Sequence, residues 1–337
     1  MRSSKKILIL FALLLGFSLV LSACSPTQEQ VANEEEPKGD PVTIRFFLGG
    51  DPGNMFSAVI QKGAEDAAKA LGDVKLEFVY SGWQPEKMVS QLREAIAANP
   101  DGIAMMGHPG DDAIIGLAEE AHNAGIIMTY MNVDVPEVRS RFGGGYIGAQ
   151  LLEQGVALGE KAIQQLNLQS GDRAAVFGYW GMPGRYFREE GVAQAFEKQS
   201  VVVDRITIPV ESTSDPQLLI PIVTAQLGAV PDTKVLAFAG GETTGTVQTY
   251  LDAAGKKPGE VYAIGFDLSP AIFNALEKGY LQITSDQQPY LQGYLPVISI
   301  YLTKKYGFSL LSYNTGAGFV TSENFGDVKD LVEKGVR

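Results

Sequence analysis

The sequence holds little of what most enzymatic chemistry requires. Its 337 residues include one cysteine, Cys24, and two histidines, His108 and His122. Without a second cysteine the chain forms no internal disulfide, and it offers no thiol catalyst. The two histidines lie far apart with no metal-ligand spacing around them, so no metal site is expected. No G-x-S-x-G, no phosphate-binding loop and no H-E-x-x-H pattern occurs, which removes the signatures of serine hydrolases, nucleotidases and zinc proteases. No catalytic residue and no cofactor is expected. Basic residues are in the minority, 27 Lys and Arg against 39 Asp and Glu, and the formal charge of −12 argues against a nucleic-acid partner.

Long hydrophobic runs are scarce as well. The first, 7–20, follows Arg2, Lys5 and Lys6 and is short for a membrane span, so 1–23 has the make-up of an export signal. It ends in Leu21-Ser22-Ala23-Cys24, which resembles a lipobox. That resemblance implies that Cys24 is lipidated, becomes the first mature residue and anchors the protein to a membrane. Removal of the three basic residues with the leader takes the formal charge from −12 to −15. Residues 24–40, with Glu34-Glu35-Glu36 at their centre, lack the apolar content to fold and are expected to form a flexible tether.

About 300 residues remain, enough for two domains with full cores. Apolar runs of strand length occur at 42–48, 74–80, 102–106, 126–131, 173–178, 201–208, 235–239, 261–266 and 281–284. Helix-length stretches separate them, at 55–71, 85–98, 111–124, 146–166, 185–198, 216–227, 243–254, 269–278 and 290–306. This alternation predicts right-handed βαβ units and an α/β fold of parallel sheets flanked by helices.

The stretch 261–296 carries the functional argument. The strands predicted at 261–266 and 281–284 end in Asp267 and in Asp286-Gln287-Gln288-Pro289. A helix of crossover length lies between them, so Asp267 and Gln287 stand at neighbouring strand ends, where open α/β sheets bind ligands. A carboxylate beside an amide, with no metal or nucleophile nearby, suits recognition of hydroxyl groups.

Gly-Phe-Asp267 followed by Asp286-Gln-Gln-Pro289-Tyr-Leu-Gln-Gly resembles the sugar-binding proteins of bacterial ABC importers, the ribose-binding-like group of type 1 periplasmic binding proteins. The resemblance spans 42–336 and implies two similar lobes, each a parallel sheet flanked by helices, joined by three crossings of the chain. The crossings are expected at 141–145, 287–289 and 315–318, two of them rich in glycine as hinges often are. Lobe one is then 41–144 plus 289–316, and lobe two 145–288 plus 317–337. Gly143-Gly-Gly145-Tyr-Ile-Gly148 also satisfies G-x-G-x-x-G, but a charged, proline-containing segment precedes it instead of a strand, so a hinge and helix start is the better account.

Site residues follow from the resemblance position by position. The loop after the first strand offers Asp51, Asn54 and Phe56; Asn54 also suits the cap of the next helix. Trp83 follows the second strand and can stack on the C–H face of a sugar. His108 and Asp111 follow the third and are read as structural, while His122 is read as a surface residue. After the fourth strand, Asn132 and Val133 fall where the ribose-binding pattern has an Asp-Arg pair, with Asp134 as a nearby acceptor. Arg188 matches the family's ligand arginine, whose planar fork grips adjacent hydroxyls, and Arg185 lies one turn earlier. Gly241 falls where the pattern has an asparagine, so either the ligand is bulkier here or Glu242 or a water fills that role. Asp267 and Gln287 complete the set. The implied protein is a monomer that closes on a monosaccharide or polyol and delivers it to ABC permease subunits. The alternative is a sensor that passes ligand state, including that of a sugar-like signal, to a chemoreceptor or kinase. A DNA-binding repressor of the same fold would need a helix pair where the export signal stands.

Overall fold

A computed structural model describes residues 40–182, 186–316 and 318–337. Cys24, the leader, the tether and Arg185 lie outside the described residues.

The described chain alternates strands and helices. The first half runs β1 (Val42–Gly49), α1 (Met55–Leu71), β2 (Val74–Tyr80), α2 (Pro85–Ala97), β3 (Gly102–Met106), α3 (Asp111–Asn123), β4 (Ile127–Met131), α4 (Pro136–Phe142) and β5 (Gly145–Gly148). The second half runs α5 (Leu151–Gln165), β6 (Arg173–Gly178), α6 (Phe187–Lys198), β7 (Val202–Thr207), α7 (Leu219–Ala229), β8 (Thr233–Phe238), α8 (Gly241–Gly245), α9 (Val247–Ala253), β9 (Tyr262–Phe266), α10 (Pro270–Glu277) and β10 (Ile283–Asp286). The chain then returns through α11 (Pro289–Tyr306) and β11 (Tyr313–Asn314) before ending in β12 (Gly318–Thr321) and α12 (Gly326–Glu333).

These strands build two six-stranded sheets, ordered β2-β1-β3-β4-β5-β11 and β7-β6-β8-β9-β10-β12. Every pairing is parallel except β10 with β12, so the fold is α/β with two lobes. Both faces of each sheet are covered, and the central strands are accordingly apolar throughout. Phe46 and Phe47, successive residues of β1, are both fully buried, because they point into cores on opposite sides of the sheet.

Two corrections concern the boundary between the lobes. Residues 146–148, expected to open a helix, form β5, and β5 pairs with β4. The chain therefore stays in the first sheet through Gly148, and the glycine triad at 143–145 is a turn into β5, with φ of 76° at Gly143 and 117° at Gly144. The turn suits glycine at Gly144, since a Cβ there would stand 2.9 Å from the Tyr130 ring. The elements absent from the sequence reading, α4, β5, β11, β12 and α12, are all short.

Helix pairs seat the two lobes in the same way. A Cβ on Gly63 of α1 would meet the Tyr290 carbonyl at 2.2 Å, and one on Gly293 of α11 would meet the Ile60 carbonyl at 1.9 Å. In the second lobe a Cβ on Gly155 of α5 would meet the Arg188 carbonyl at 2.0 Å, and one on Gly191 of α6 the Leu152 carbonyl at 2.2 Å. Glycine at these points brings the helix backbones together, and in α6 it fixes the turn that carries Arg188.

Candidate functional site

The cleft lies between the lobes, at the carboxyl ends of both sheets, where this class of sheet binds ligands. It encloses about 520 Å³ counted with its open mouth, the scale of a small-molecule site.

The first lobe contributes rings. Asn54 caps α1, its Oδ1 accepting from the Ser57 N–H at 3.0 Å, and so sets the first turn from which Phe56 reaches the cleft. Trp83 follows β2 with φ of 59°, held by its N–H donating to the Gly49 carbonyl at 2.9 Å. Its indole lies over Gly49, where a Cβ would come within 2.3 Å of the ring. The Phe56 and Trp83 ring centres are 6.1 Å apart, and Trp83 and His108 are 5.3 Å apart. These three side chains form an aromatic shelf on which the apolar face of a ring ligand fits.

The second lobe contributes charge. Asp267 follows β9 at φ of 72°. A left-handed backbone at a non-glycine residue persists only where its surroundings over-determine it, and such residues cluster at ligand sites. Here the surroundings are specific. The Asp267 N–H donates to the Ser285 carbonyl at 2.8 Å and its carbonyl accepts from Thr284 Oγ1 at 2.6 Å. Its carboxylate accepts from the Gly241 N–H at 2.9 Å and from Gln287 Nε2 at 2.5 Å. Gln287 Oε1 in turn accepts from Asn132 Nδ2 at 3.1 Å, and Asn132 also sits at positive φ, 64°. A single hydrogen-bonded chain thus runs from the second lobe through the crossing at Gln287 to the first lobe. It continues into the hinge, where Gln292 Nε2 donates to the Gln287 carbonyl at 3.0 Å and to Thr315 Oγ1 at 3.2 Å.

Arg188 enters from α6. Its guanidinium carbon stands 5.0 Å from the centre of the Phe266 ring, and its buried Nη1 has no hydrogen-bond partner among the described residues. A buried donor left unpaired costs about 1–3 kcal/mol, more when charged, and this one belongs to a side chain that lines the cleft.

Glu242 meets the first lobe directly. Its Oε1 accepts from Asn54 Nδ2 at 3.0 Å, across 188 residues of sequence. Burial pushes the Glu242 carboxyl above the usual carboxylate range and the charge of Asp267 adds to this, while Asn54 and Arg188 oppose it. The Asn54–Glu242 bond bridges the two lobes over the cleft.

Of the ten ligand candidates, Phe56, Trp83, Asn132, Arg188, Glu242, Asp267 and Gln287 come together around one space. Asn54 touches that group through Glu242. Asp51 and Asp134 do not line the space. Asp51 is exposed in its loop. Asp134 is taken up by Arg139, whose Nη1 lies 2.7 Å and 2.9 Å from its two carboxylate oxygens, and it borders a separate hollow. His108, read as structural, lines the cleft and is 7% exposed. Tyr179 and Thr213 also line it. Tyr179 directly follows β6, and the same strand-end rule that found Asp267 would have found it. Thr213 sits in a short turn after β7, for which the sequence carries no signal. No group of three or more His, Cys, Asp or Glu fit to hold a metal occurs among the described residues.

Comparison with known proteins agrees with this architecture. Residues 46–303 match the model of the periplasmic binding protein domain. A xylose/arabinose-binding protein of Sulfolobus acidocaldarius is 32% identical over 326 residues, covering 90% of this chain and 77% of the relative. A carbohydrate transporter protein of Acidothermus cellulolyticus 11B, solved with myo-inositol, superposes with a TM-score of 0.75 at 23% identity, covering 88% of this chain and 100% of the other. An ABC transporter solute-binding protein of Burkholderia graminis C4D1M, solved with D-arabinose, superposes with a TM-score of 0.74 at 23% identity, covering 86% and 98%. With a domain model matched over most of its length and a relative of this identity and coverage, the chain belongs to the periplasmic binding protein family.

Proposed function

We propose that the protein captures a monosaccharide or related polyol outside the cytoplasm and hands it to an ABC permease. The observation that carries this reading is the buried Nη1 of Arg188, unpaired among the described residues, in one cleft with the Phe56 and Trp83 rings and the hydrogen-bonded Asp267 carboxylate. Sugars present an apolar C–H face and a rim of hydroxyls, and the cleft offers rings to the one and Arg188, Asp267, Asn132 and Gln287 to the other. The relatives named above add xylose, arabinose and myo-inositol as candidates of the right size and chemistry.

The mechanism is closure. With the lobes apart, ring wall and charged wall face water; together they enclose the ligand, and the permease recognises the joined form. The bond from Asn54 to Glu242 adds a protein–protein contact to the closed state. We take lobe one as 41–148 with 289–316 and lobe two as 149–288 with 317–337, crossing near Ala149, Gln288 and Thr315. No step of this cycle alters the ligand chemically.

Calorimetry with pentoses, hexoses and myo-inositol tests the reading. At least one should bind, and Arg188→Ala should weaken it about ten- to a hundredfold. Binding of none of them, or binding untouched by the substitution, overturns the assignment. The lipid anchor at Cys24 rests on the sequence pattern, and Cys24→Ala should move the protein from the membrane to the soluble fraction.

A further inference from the structure

Beside the cleft lies a second, larger hollow of about 870 Å³, between α1 of the first lobe and the start of α10 and the C-terminal segment of the second. Phe56, Glu242 and Asp267 line both spaces, so the hollow and the cleft share a wall. The two linings differ in kind. Beyond the shared wall the cleft presents Arg188, Asn132 and Gln287, whereas the hollow presents chiefly Met55, Val59, Leu268, Pro270 and Val332, with Ser269 and Glu333 as polar members. Met55 opens α1 with 51% of its surface exposed, on the lip of this hollow. Arg337 at the edge is already engaged, 2.8 Å from Asp286 and 3.1 Å from Gln288 Oε1.

We propose that the hollow is a second subsite, which takes an apolar group joined through the anomeric oxygen to a sugar seated in the cleft. The ligand class is then an alkyl or aryl glycoside. This inference rests on the sugar-binding reading above. Continuity carries it. The hollow has Ser269 and Glu333 of its own, while two of its three carboxylates, Glu242 and Asp267, are shared with the cleft, so a group lying on them is continuous with a ligand seated there. A ligand spanning the shared wall keeps its hydroxyls on those carboxylates and lays its substituent on Val59, Leu268 and Val332. Phe56 serves both parts, since it borders both spaces while standing 6.1 Å from Trp83 on the cleft side.

Calorimetry on the full chain decides the matter with three sets of probes: free aldopentoses and aldohexoses with myo-inositol, their methyl α- and β-glycosides, and their phenyl α- and β-glycosides. For the sugar that binds, one phenyl anomer should bind about ten- to a hundredfold tighter than the free sugar, with the methyl glycoside between them. Ala58→Trp, which fills the hollow from an exposed helix position, and Val59→Glu, which places a carboxylate in it, should each erase that gain. Neither should change affinity for the free sugar, and unchanged melting curves verify that both variants fold. Free sugar binding with every phenyl glycoside weaker than its methyl counterpart overturns the subsite and leaves the sugar reading intact. So does a phenyl gain that survives both variants, or binding confined to myo-inositol. If no free sugar, glycoside or cyclitol binds, the sugar reading falls and the subsite falls with it.

Discussion

The first-lobe wall of the cleft is built of rings and the second-lobe wall of charges. Phe56 and His108 flank Trp83 on one side, with ring centres 6.1 Å and 5.3 Å from it, while Arg188, Glu242 and Asp267 line the other. The difference is one of tolerance. A ring accepts any apolar face that covers it, whereas a carboxylate fixed by two hydrogen bonds accepts hydroxyls only in the directions left open. Asp267 is held by Gly241 and Gln287. On the proposed function, the charged wall is expected to set which ligand fits and the ring wall to contribute area. Because the polar chain is already assembled, little side-chain ordering remains for the ligand to induce.

The comparison breaks most visibly at Asp267. Asp267→Ala removes the central acceptor of the chain and leaves Gln287 Nε2 and the Gly241 N–H without their partner. Affinity for the bound sugar should drop about a hundredfold or more, measured by calorimetry, because several buried groups lose a bond at once. A drop of less than threefold would move the site elsewhere. Trp83→Ala tests the ring wall. It should cost about two- to tenfold for every sugar that binds, since stacking discriminates little between ligands. A loss confined to one sugar would mean that the shelf, too, selects.

Glu242 sharpens the comparison from the side of charge. Its carboxyl is raised above the ordinary glutamate value of 4.5, mainly by burial. The folded protein therefore binds a proton there more tightly than the unfolded chain does. The resulting stability is fully present below the unfolded pKa and is lost as pH rises through the folded pKa. Glu242→Gln keeps an acceptor for Asn54 and removes the titration. Denaturant melts at pH 4.5 and pH 7 should show the variant losing less stability over that interval than the parent. Asp286 is raised as well and acts with the same sign, but it is common to both proteins and cancels in the difference. Parallel curves for parent and variant would refute a buried, proton-binding Glu242. The smallest effect is expected at Asp134. Its carboxylate is bound by Arg139 and lies off the cleft, so Asp134→Ala should leave sugar affinity within about twofold, because it removes no group that lines the cleft.

Much of the cleft was legible because strand ends are legible. A buried parallel strand writes itself as an apolar run, and the residues after it face the ligand crevice, which makes Asp267 and Gln287 legible; Trp83 and Asn132 rest on the family resemblance. Asp134, offered by the resemblance as a nearby acceptor, is instead engaged by Arg139 on the next helix, a contact no local pattern shows. His108 was read as structural although it follows β3, since nothing local shows that Trp83 would lean over it. At β5, Tyr146-Ile-Gly148 has no alternation to separate a strand from the first turn of a helix, and only the edge of β4 decided the matter. Two-residue β11 has no pattern at all and exists because β5 offers it an edge.

Sequence alone determined an α/β fold of parallel sheets with a carboxylate and an amide at neighbouring strand ends, and a family resemblance implied its two lobes. Periodicity, capping and strand ends are local properties, written in the residues that display them. The tertiary structure alone decided which polar groups meet. It set Asn54 against Glu242 across 188 residues, joined Asn132 to Gln287 across 155, and left Arg188 Nη1 without a partner among the described residues. Those outcomes depend on how close two lobes stand and how two helices pack, quantities that arise only when distant segments of the chain share one space.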